Sequence, residues 1–279
     1  MNFVKVAFLN VGHGDSSVII FPDGKTGAVI DTPKSEVTFR YLNEKGVNSL
    51  KWVIISHTHI DHAEGIIDLI KRFNSQCGTI ETLYYNCDKI VTCENKNRYI
   101  LLLRDICSLM EQNIVKNSGK PATILSTINS VEGTAMKILH PDHDDITKVL
   151  ISPNRNNASV VIKVSFGKFS VLFTGDLSRE GWKWLKSRNF DLKSDILKYP
   201  HHGSWFESIP ELIDSVNPQY VILSYGETSE KKYRLPAHET TACLTERKIQ
   251  TFSTKVSHQE FMITTELIKH LCDSQSLEV

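Results

Sequence analysis

The residues best suited to chemistry lie in one short string, Ile55-Ser56-His57-Thr58-His59-Ile60-Asp61-His62, which follows an apolar run typical of a buried strand. His57 and His59 are two residues apart, so at an extended strand end they project to the same side and can bind one ion. Asp61 and His62 come just past the turn and can reach a second ion. The string therefore predicts a centre for two metal ions.

Three other predicted strands end in side chains that such a centre needs. Asp176 follows the apolar run 169–174 and Gly175, where its carboxylate can bridge two cations. His201 and His202 follow the run 196–200, and Asp31 follows the run 28–30. We therefore expect four strand ends to meet at one rim and to present their donors together.

Apolar periodicity predicts the elements that position these residues. The predicted strands cover 3–11, 16–21, 27–31, 52–56, 122–127, 135–139, 159–166, 169–174, a run ending at 199, 219–224, and short runs near 250 and 260. The predicted helices cover 35–45, 64–73, 94–115, 178–188, 208–214 and 239–248. The longest helix has a stripe expected to face inward, formed by Ile100, Leu103, Ile106, Cys107, Met110 and Ile114. No linker interrupts the alternation, so residues 1–279 are predicted to form a single domain.

Several motifs occur in an order that points to a known family. They are Asn10–Ser16, Asp31-Thr32, the HxHxDH string, Asn156–Val161, Thr174–Asp176 and Lys198–Ser204. On these motifs the chain resembles the metallo-β-lactamase superfamily, and within it the ComEC-like branch, the hydrolase-like domain of a DNA-uptake protein. The resemblance runs from residue 4 to about residue 264 and implies an α/β fold, a four-layer αββα sandwich. The transport channel of ComEC has no counterpart here, so we expect a stand-alone soluble protein with a role other than DNA uptake.

The resemblance and the spacing together imply a ligand set. Metal one is expected to bind His57 and His59, metal two Asp61 and His62, and Asp176 to lie between them. One histidine of the pair His201 and His202 completes metal two; His201 is favoured because it comes first after the strand, and the reverse order stays open. Asp31 matches a family aspartate that orients the histidines without binding metal.

One position departs from the lactamase and glyoxalase pattern. Those relatives place a third histidine for metal one where this chain has Asn156-Asn157-Ala158-Ser159, a substitution that ComEC-like proteins share. His140 is an alternative ligand, and its other interpretation is a hydrogen-bonded histidine at a strand end. Because metal one loses an imidazole, Mn²⁺ competes seriously with Zn²⁺ for the two divalent sites.

Two bound cations can hold a hydroxide and neutralise charge on substrate oxygens, which suits phosphodiester hydrolysis. Asp61 or Asp176 is expected to orient the nucleophile. His238 is expected to donate a proton or a hydrogen bond, although its motif departs from the usual His-Pro order. His13, Asp15 and Ser204 are expected to line the same opening.

Composition sets further bounds. Lys plus Arg and Asp plus Glu are both 32, so nucleic acid would have to bind a local patch and not a basic surface. The six cysteines form no CxxC pair, and we expect reduced thiols, mostly in or near the core, in a cytoplasmic protein. The amino terminus lacks the pattern of a secretory signal, and no apolar stretch approaches the roughly 18 residues of a membrane span.

Three functions remain open. The first is a nuclease or phosphodiesterase, for which the patch Lys231–Arg234 offers contacts to a DNA or RNA backbone, although the same residues suit a solvated loop. The second is a hydrolase of a small ester such as a lactone or a phosphocholine ester. The third is a metal-binding regulatory subunit with a protein partner in a multi-gene system, for example an antiviral one.

Overall fold

The computed structural model describes residues 2–85, 96–121, 128–142, 145, 147–148 and 154–271, and it contains two large β-sheets. The strands of the first sheet are β1 (Phe3–Phe8), β2 (Ser17–Ile20), β3 (Thr26–Ile30), β4 (Ser49–Ile54), β5 (Thr79–Tyr85), β6 (Val115–Pro121), β14 (Gln259–Thr264) and β15 (Ile268–Leu271). They lie in the spatial order β15-β14-β1-β2-β3-β4-β5-β6.

The second sheet is built from the later part of the chain. Its strands are β7 (Ile128–Val131), β8 (Thr134–His140), β9 (Val161–Phe166), β10 (Phe169–Phe173), β11 (Ile196–Lys198), β12 (Tyr220–Leu223) and β13 (Gln250–Ser253). They lie in the order β13-β12-β11-β10-β9-β8-β7. The predicted strand 122–127 falls outside the described residues.

Helices cover the outer faces of both sheets. They are α1 (Ser35–Glu44), α2 (Ile60–Ala63), α3 (Ile66–Ser75), α4 (Lys96–Glu111), α5 (Arg179–Ser187), α6 (Ile209–Val216), α7 (Glu227–Tyr233) and α8 (His238–Glu246). In the described residues, no helix combines the length and the apolar character needed to cross a membrane.

Three apolar clusters hold the layers together. The central one lies between the two sheets and joins Phe8 and Ile54 of the first to Phe173 and Ile222 of the second. A second cluster packs α1, α3 and α4 on the first sheet, and a third packs α5, α6 and α8 on the second. The predicted αββα arrangement is therefore confirmed, because each sheet buries one face against the other sheet and one against helices.

Parallel pairing brings the motif residues together. In the first sheet β3, β4, β5 and β6 pair in parallel, and in the second sheet β10, β11, β12 and β13 do the same. Parallel strands present their carboxyl ends at one edge, where ligand sites of α/β proteins form. Asp31 follows β3 and His57 follows β4, while Asp176 follows β10 and His202 follows β11.

Several details differ from the predictions. The helix predicted over 94–115 is shorter in the structure, where α4 ends at Glu111 and the strand β6 begins at Val115. The predicted helix therefore ran into the start of a strand. Lys231, Lys232 and Tyr233 form the last turn of α7 instead of a loop. Cys77 and Cys107 are exposed and only Cys243 is buried among the cysteines described, so the expectation of mostly core thiols is wrong there.

Candidate metal centre

The HxHxDH string forms the loop that leaves β4. Ile55 still donates a backbone hydrogen bond to Tyr84 of β5, at 2.9 Å, and the chain then turns into the short helix α2. His62 donates its backbone N–H to the carbonyl of His59 at 3.0 Å. This turn buries His57 and His62 completely and leaves His59 and Asp61 partly exposed. Two of the four donors therefore lie in the interior, and the other two lie at the opening of the site to solvent.

Asp176 joins these donors into two groups of possible metal ligands. One group is His57, His59 and Asp176, and the other is Asp61, His62, Asp176 and His202; within each group the ligand atoms all lie within 4.8 Å of one another. His57 Nε2 lies 3.8 Å from Asp176 Oδ2, and His62 Nε2 lies 3.2 Å from Asp176 Oδ1. A carboxylate shared in this way can bridge two cations.

The donor atoms have the chemistry that a divalent cation needs. His62 Nε2, His202 Nε2 and Asp176 Oδ1 are all buried, and no group in the described part of the chain gives any of them a hydrogen bond of good geometry. Buried polar atoms are normally satisfied. All three atoms belong to the four-residue group, so a cation there would satisfy them together, and the residues present fit the metal that the resemblance implies.

The electrostatics of the two groups differ. Burial lowers the pKa of His57 and of His59, which keeps these imidazoles neutral and leaves a lone pair for a metal. Burial acts in the same direction on His62 and His202, but the negative charges around them, Asp176 first, outweigh it and raise their pKa well above its usual value. The group of Asp61, His62, Asp176 and His202 thus attracts positive charge more strongly than the group of His57, His59 and Asp176.

Asp31 holds His62 in place from behind. Its Oδ1 accepts a hydrogen bond from Ser56 N at 2.7 Å and its Oδ2 accepts one from Ser56 Oγ at 2.6 Å, and His62 Nδ1 lies 2.8 Å from the same Oδ2. With Nδ1 donating to Asp31, His62 turns Nε2 toward Asp176. Asp31 therefore lies where it can orient His62 without binding a metal itself. Ser56 holds Asp31 through the two hydrogen bonds above, although the sequence did not single out Ser56.

Of the two histidines after β11, His202 reaches the donors. Its Nε2 lies 3.3 Å from Asp61 Oδ2 and 3.5 Å from Asp176 Oδ2, and its Nδ1 lies 2.9 Å from the carbonyl of Ser224. The His201 side chain is 38% exposed and comes no closer than 4.0 Å to Asp176. The geometry therefore favours His202 over His201, and both residues have a positive φ.

Lys198, which begins the motif Lys198–Ser204, is a buried charge for which the sequence predicted no separate role. Its ammonium forms an ion pair with Asp15 and lies 3.2 Å from the carbonyl of Gly175. Burial by itself would raise the pKa of Asp15, but Lys198 and His202 outweigh it and the pKa falls below its usual value. Asp15, Asp31 and His62 also lie close enough to hold a metal, but Lys198 already supplies the positive charge there. The sequence did offer a signal for this ion pair, because Lys198 lies in an apolar strand and buried lysines are nearly always paired with an acidic group.

His13 lies in the first turn of the chain, between β1 and β2, and contacts Asp61 and α7. Its Nε2 lies 3.2 Å from Asp61 Oδ2, and its Nδ1 lies 2.9 Å from Ser229 Oγ of α7. Ser204 is partly exposed after the turn that holds His202, and its described contacts are made by its backbone with His201 and Tyr199. It joins neither ligand group.

The remaining candidates lie outside both groups of ligands. His140 is buried with Nε2 2.9 Å from the Asn157 carbonyl and Nδ1 3.4 Å from Asp145, which fits a structural histidine at a strand end. Asn156 Nδ2 lies 3.3 Å from His201 Nε2. His238 is exposed at the start of α8, and among the described residues no contact links its side chain to the donors.

Two curated bacterial proteins have similar sequences. Over 269 residues, 90% of this chain, it is 24% identical to ComE operon protein 3 of Bacillus subtilis. Over 238 residues, 82% of this chain, it is 28% identical to Recombination protein 2 of Haemophilus influenzae. The matched regions cover only 32% and 25% of those two proteins. No protein-family model matches the chain.

Solved structures settle the architecture. The metallo-β-lactamase fold protein YhfI from Bacillus subtilis superposes with a TM-score of 0.57 and 13% identity, over 92% of this chain and 99% of that one. This chain has the metallo-β-lactamase fold. Zn²⁺-bound PqqB from Methylobacterium extorquens superposes with a TM-score of 0.53 and 11% identity, over 90% of this chain and 98% of that one.

Within this metallo-β-lactamase fold, the centre is asymmetric. The group around His57 and His59 contains two imidazoles and one carboxylate, while the group around His62 and His202 contains two of each. Asn156 lies in the 3₁₀ turn Arg155–Ala158, before β9, where the lactamase pattern has a third imidazole. The two positions of the centre therefore differ in the number of donors.

Proposed function

We propose that this protein is a hydrolase that uses two divalent cations, Zn²⁺ or Mn²⁺, to cleave phosphodiester bonds. The observation that carries the proposal is the sharing of Asp176 between two groups of ligands. A carboxylate shared between two groups of donors suits a centre that would hold two cations, which together would stabilise charge in attack at phosphorus. The resemblance of the ordered motifs to the hydrolase-like domain of a DNA-uptake protein supports a nucleic acid as the substrate.

In this proposal each residue has a defined task. His57, His59 and Asp176 would hold one cation, and Asp61, His62, His202 and Asp176 would hold the other. When bound, the cations supply Lewis acidity and a water of lowered pKa. Asp61 is the partly exposed carboxylate of the set, so it can accept a hydrogen bond from an attacking water and orient it. Asp31 and Ser224 fix the rings of His62 and His202.

The proton donor to the leaving group has a different candidate from the one the sequence favoured. His238 lies exposed, whereas His13 is at the opening with Nε2 3.2 Å from Asp61. We propose that His13 contacts the substrate phosphate or the leaving oxygen.

The test is hydrolysis of bis-(p-nitrophenyl) phosphate and of single-stranded DNA by the purified chain with Zn²⁺ or Mn²⁺. Asp176→Asn removes the bridging charge with little change in volume, so it should lower turnover at least 100-fold for both substrates. Its melting temperature checks that the fold is kept. Wild-type protein that cleaves neither diester with either metal would contradict the proposal.

A small-ester hydrolase is the second candidate, and one cavity favours it. A cavity of about 240 Å³ lies beside the metal loop, bordered by Thr58 and Glu64 and lined by apolar side chains of α2, α3 and α4, among them Ile60, Ala63, Ile67 and Leu101. Such a cavity could take the apolar group of a lactone. Cleavage of a lactone panel in preference to both diesters would support this candidate, and activity only with an added partner protein would support a regulatory subunit.

A further inference from the structure

A second cleft opens beside the candidate metal centre. Its volume is about 300 Å³, and its walls include His13, Lys34, Ile60, Asp61, Glu64 and Tyr233. Asp61 also belongs to the four-residue ligand group, so the cleft and the centre share a wall. Ligand pockets begin at roughly this size, which suits one nucleotide-sized group.

An aromatic pair forms one side of this cleft. The rings of Tyr233 and His13 stack with centroids 4.9 Å apart and an angle of 29° between planes. His13 is held from two sides, by Ser229 Oγ at 2.9 Å and Asp61 Oδ2 at 3.2 Å. Tyr233 is 46% exposed. The exposed ring is thus fixed by its contact with a held neighbour, and a fixed exposed ring is a stacking surface for a base.

Two lysines lie near this aromatic pair, one over the Tyr233 ring and one in the cleft wall. The ammonium of Lys232 lies 5.0 Å from the centroid of Tyr233. Lys34 lines the cleft, and its ammonium lies over the first turn, where a Cβ added to Gly12 would come within 3.3 Å of Nζ. Lys231 instead pairs with Glu227 on the exposed side of α7 at 2.9 Å. Glu64 and Asp61 are the acidic groups of the cleft, so Lys34 is the group there that can attract a phosphate.

We propose that this cleft binds the nucleotide next to the scissile phosphate of a single-stranded polynucleotide, with its base on Tyr233 and its phosphate near Lys34. The proposal rests on the phosphodiesterase function above and specifies its substrate. A base can stack on a protein ring only when it is free of its own partner strand. Duplex DNA should therefore use the cleft poorly.

The test measures binding as well as cleavage. A fluorescent oligonucleotide of thymidines is titrated with the full chain carrying Asp176→Asn, in Mn²⁺ buffer, and its anisotropy is followed. Adding Tyr233→Ala should weaken binding about 10-fold or more, and Tyr233→Phe, which keeps the ring, should restore most of the affinity. Lys34→Gln should weaken binding and lower the slope of log K against log salt by about 1.

Lys168→Gln is the matched control for charge, because Lys168 is an exposed lysine in the β9–β10 turn, at the opposite end of β10 from Asp176. It should leave the affinity unchanged. Melting temperatures of all variants show whether any loss reflects unfolding.

The outcomes separate the two proposals. If wild-type protein cleaves the diesters but Tyr233→Ala and Lys34→Gln bind the oligonucleotide like wild type, the cleft assignment is wrong and the phosphodiesterase stands. If the variants lose affinity for a duplex as much as for a single strand, the single-strand assignment is overturned. If no diester is cleaved and no oligonucleotide binds, both proposals fail.

Discussion

At the scale of single residues, the buried pair Lys198 and Asp15 should be a main determinant of stability. Lys198→Met removes the ammonium while keeping a similar volume, and it leaves the buried Asp15 with more distant partners, His202 Nδ1 at 3.5 Å and His62 Nδ1 at 3.8 Å. Breaking a buried pair on one side costs about 3–5 kcal/mol, so the urea midpoint should fall sharply. Asp15→Asn in the same chain should recover part of the loss. Equal midpoints for Lys198→Met and wild type would show that the pair is not needed.

His140 and His57 should behave differently when each is replaced by alanine. His57 belongs to a ligand group, whereas His140 contacts the Asn157 carbonyl and Asp145. Elemental analysis should therefore find two ions in His140→Ala and fewer in His57→Ala, although both substitutions are expected to lower the melting temperature. Equal loss of metal from the two variants would make His140 a ligand and reopen the role of Asn156.

The spacing of residues predicted part of this centre and missed the rest for a physical reason. His57, His59, Asp61 and His62 are close in sequence, so their proximity in space followed from one turn. The preference for His202 over His201 rests on the distances from each ring to Asp61 and Asp176, which no spacing rule reveals. The ligand assignment as a whole stays a prediction.

At the scale of elements, α7 connects the first turn to the cleft, and its start permits only glycine. A Cβ at Gly226 would come within 2.7 Å of the backbone of Gly12. Gly226→Ala should therefore push α7 away from the first turn, cost about 1–3 kcal/mol, and weaken oligonucleotide binding because Ser229 no longer holds His13.

Gly46→Ala is the control: it has a positive φ but open space around it. It should lower stability by about 1 kcal/mol and leave binding unchanged. Similar binding losses in both variants would contradict this role of α7.

Helix α4 shows where periodicity alone failed. The stripe expected to face inward included Ile100, Cys107 and Met110, which are exposed. The structure buries Ile106, which belongs to that stripe, and Leu109, which does not. The predicted and the buried faces share Ile106 and are both apolar at helical spacing, so the helix sequence alone does not fix which face packs on the sheet and on α3.

At the scale of the whole molecule, metal should link the two sheets. The HxHxDH loop extends from the first sheet, and Asp176 and His202 extend from the second. Ligands that bind only the folded state stabilise it, by about 2.7 kcal/mol at 100 times Kd, so chelation should lower the melting temperature and added metal should restore it. Loss should be stepwise, with the ion of the three-residue group leaving first. A single ion at saturating metal, or loss in one step, would contradict two unequal sites.

The four-layer architecture itself was predictable because strand and helix patterns alternate along the chain and the ordered motifs resemble one family. The pairing of strands far apart in sequence was not predictable. For example, β14 pairs with β1 across some 250 residues, and no local pattern in either strand indicates the other. The single domain over 1–279 and a cytoplasmic location stay predictions.

The buried ammonium of Lys198 also sets the charge balance of the centre. Asp15, Asp31, Asp61 and Asp176 bring four negative charges close together, and Lys198 offsets one of them permanently. With neutral imidazoles, two divalent cations would turn the remaining deficit of three into an excess of about one positive charge. A loaded centre with that excess attracts a phosphodiester anion and gains nothing comparable from a neutral lactone. Lys198 would thereby tilt substrate choice toward anions without touching the substrate.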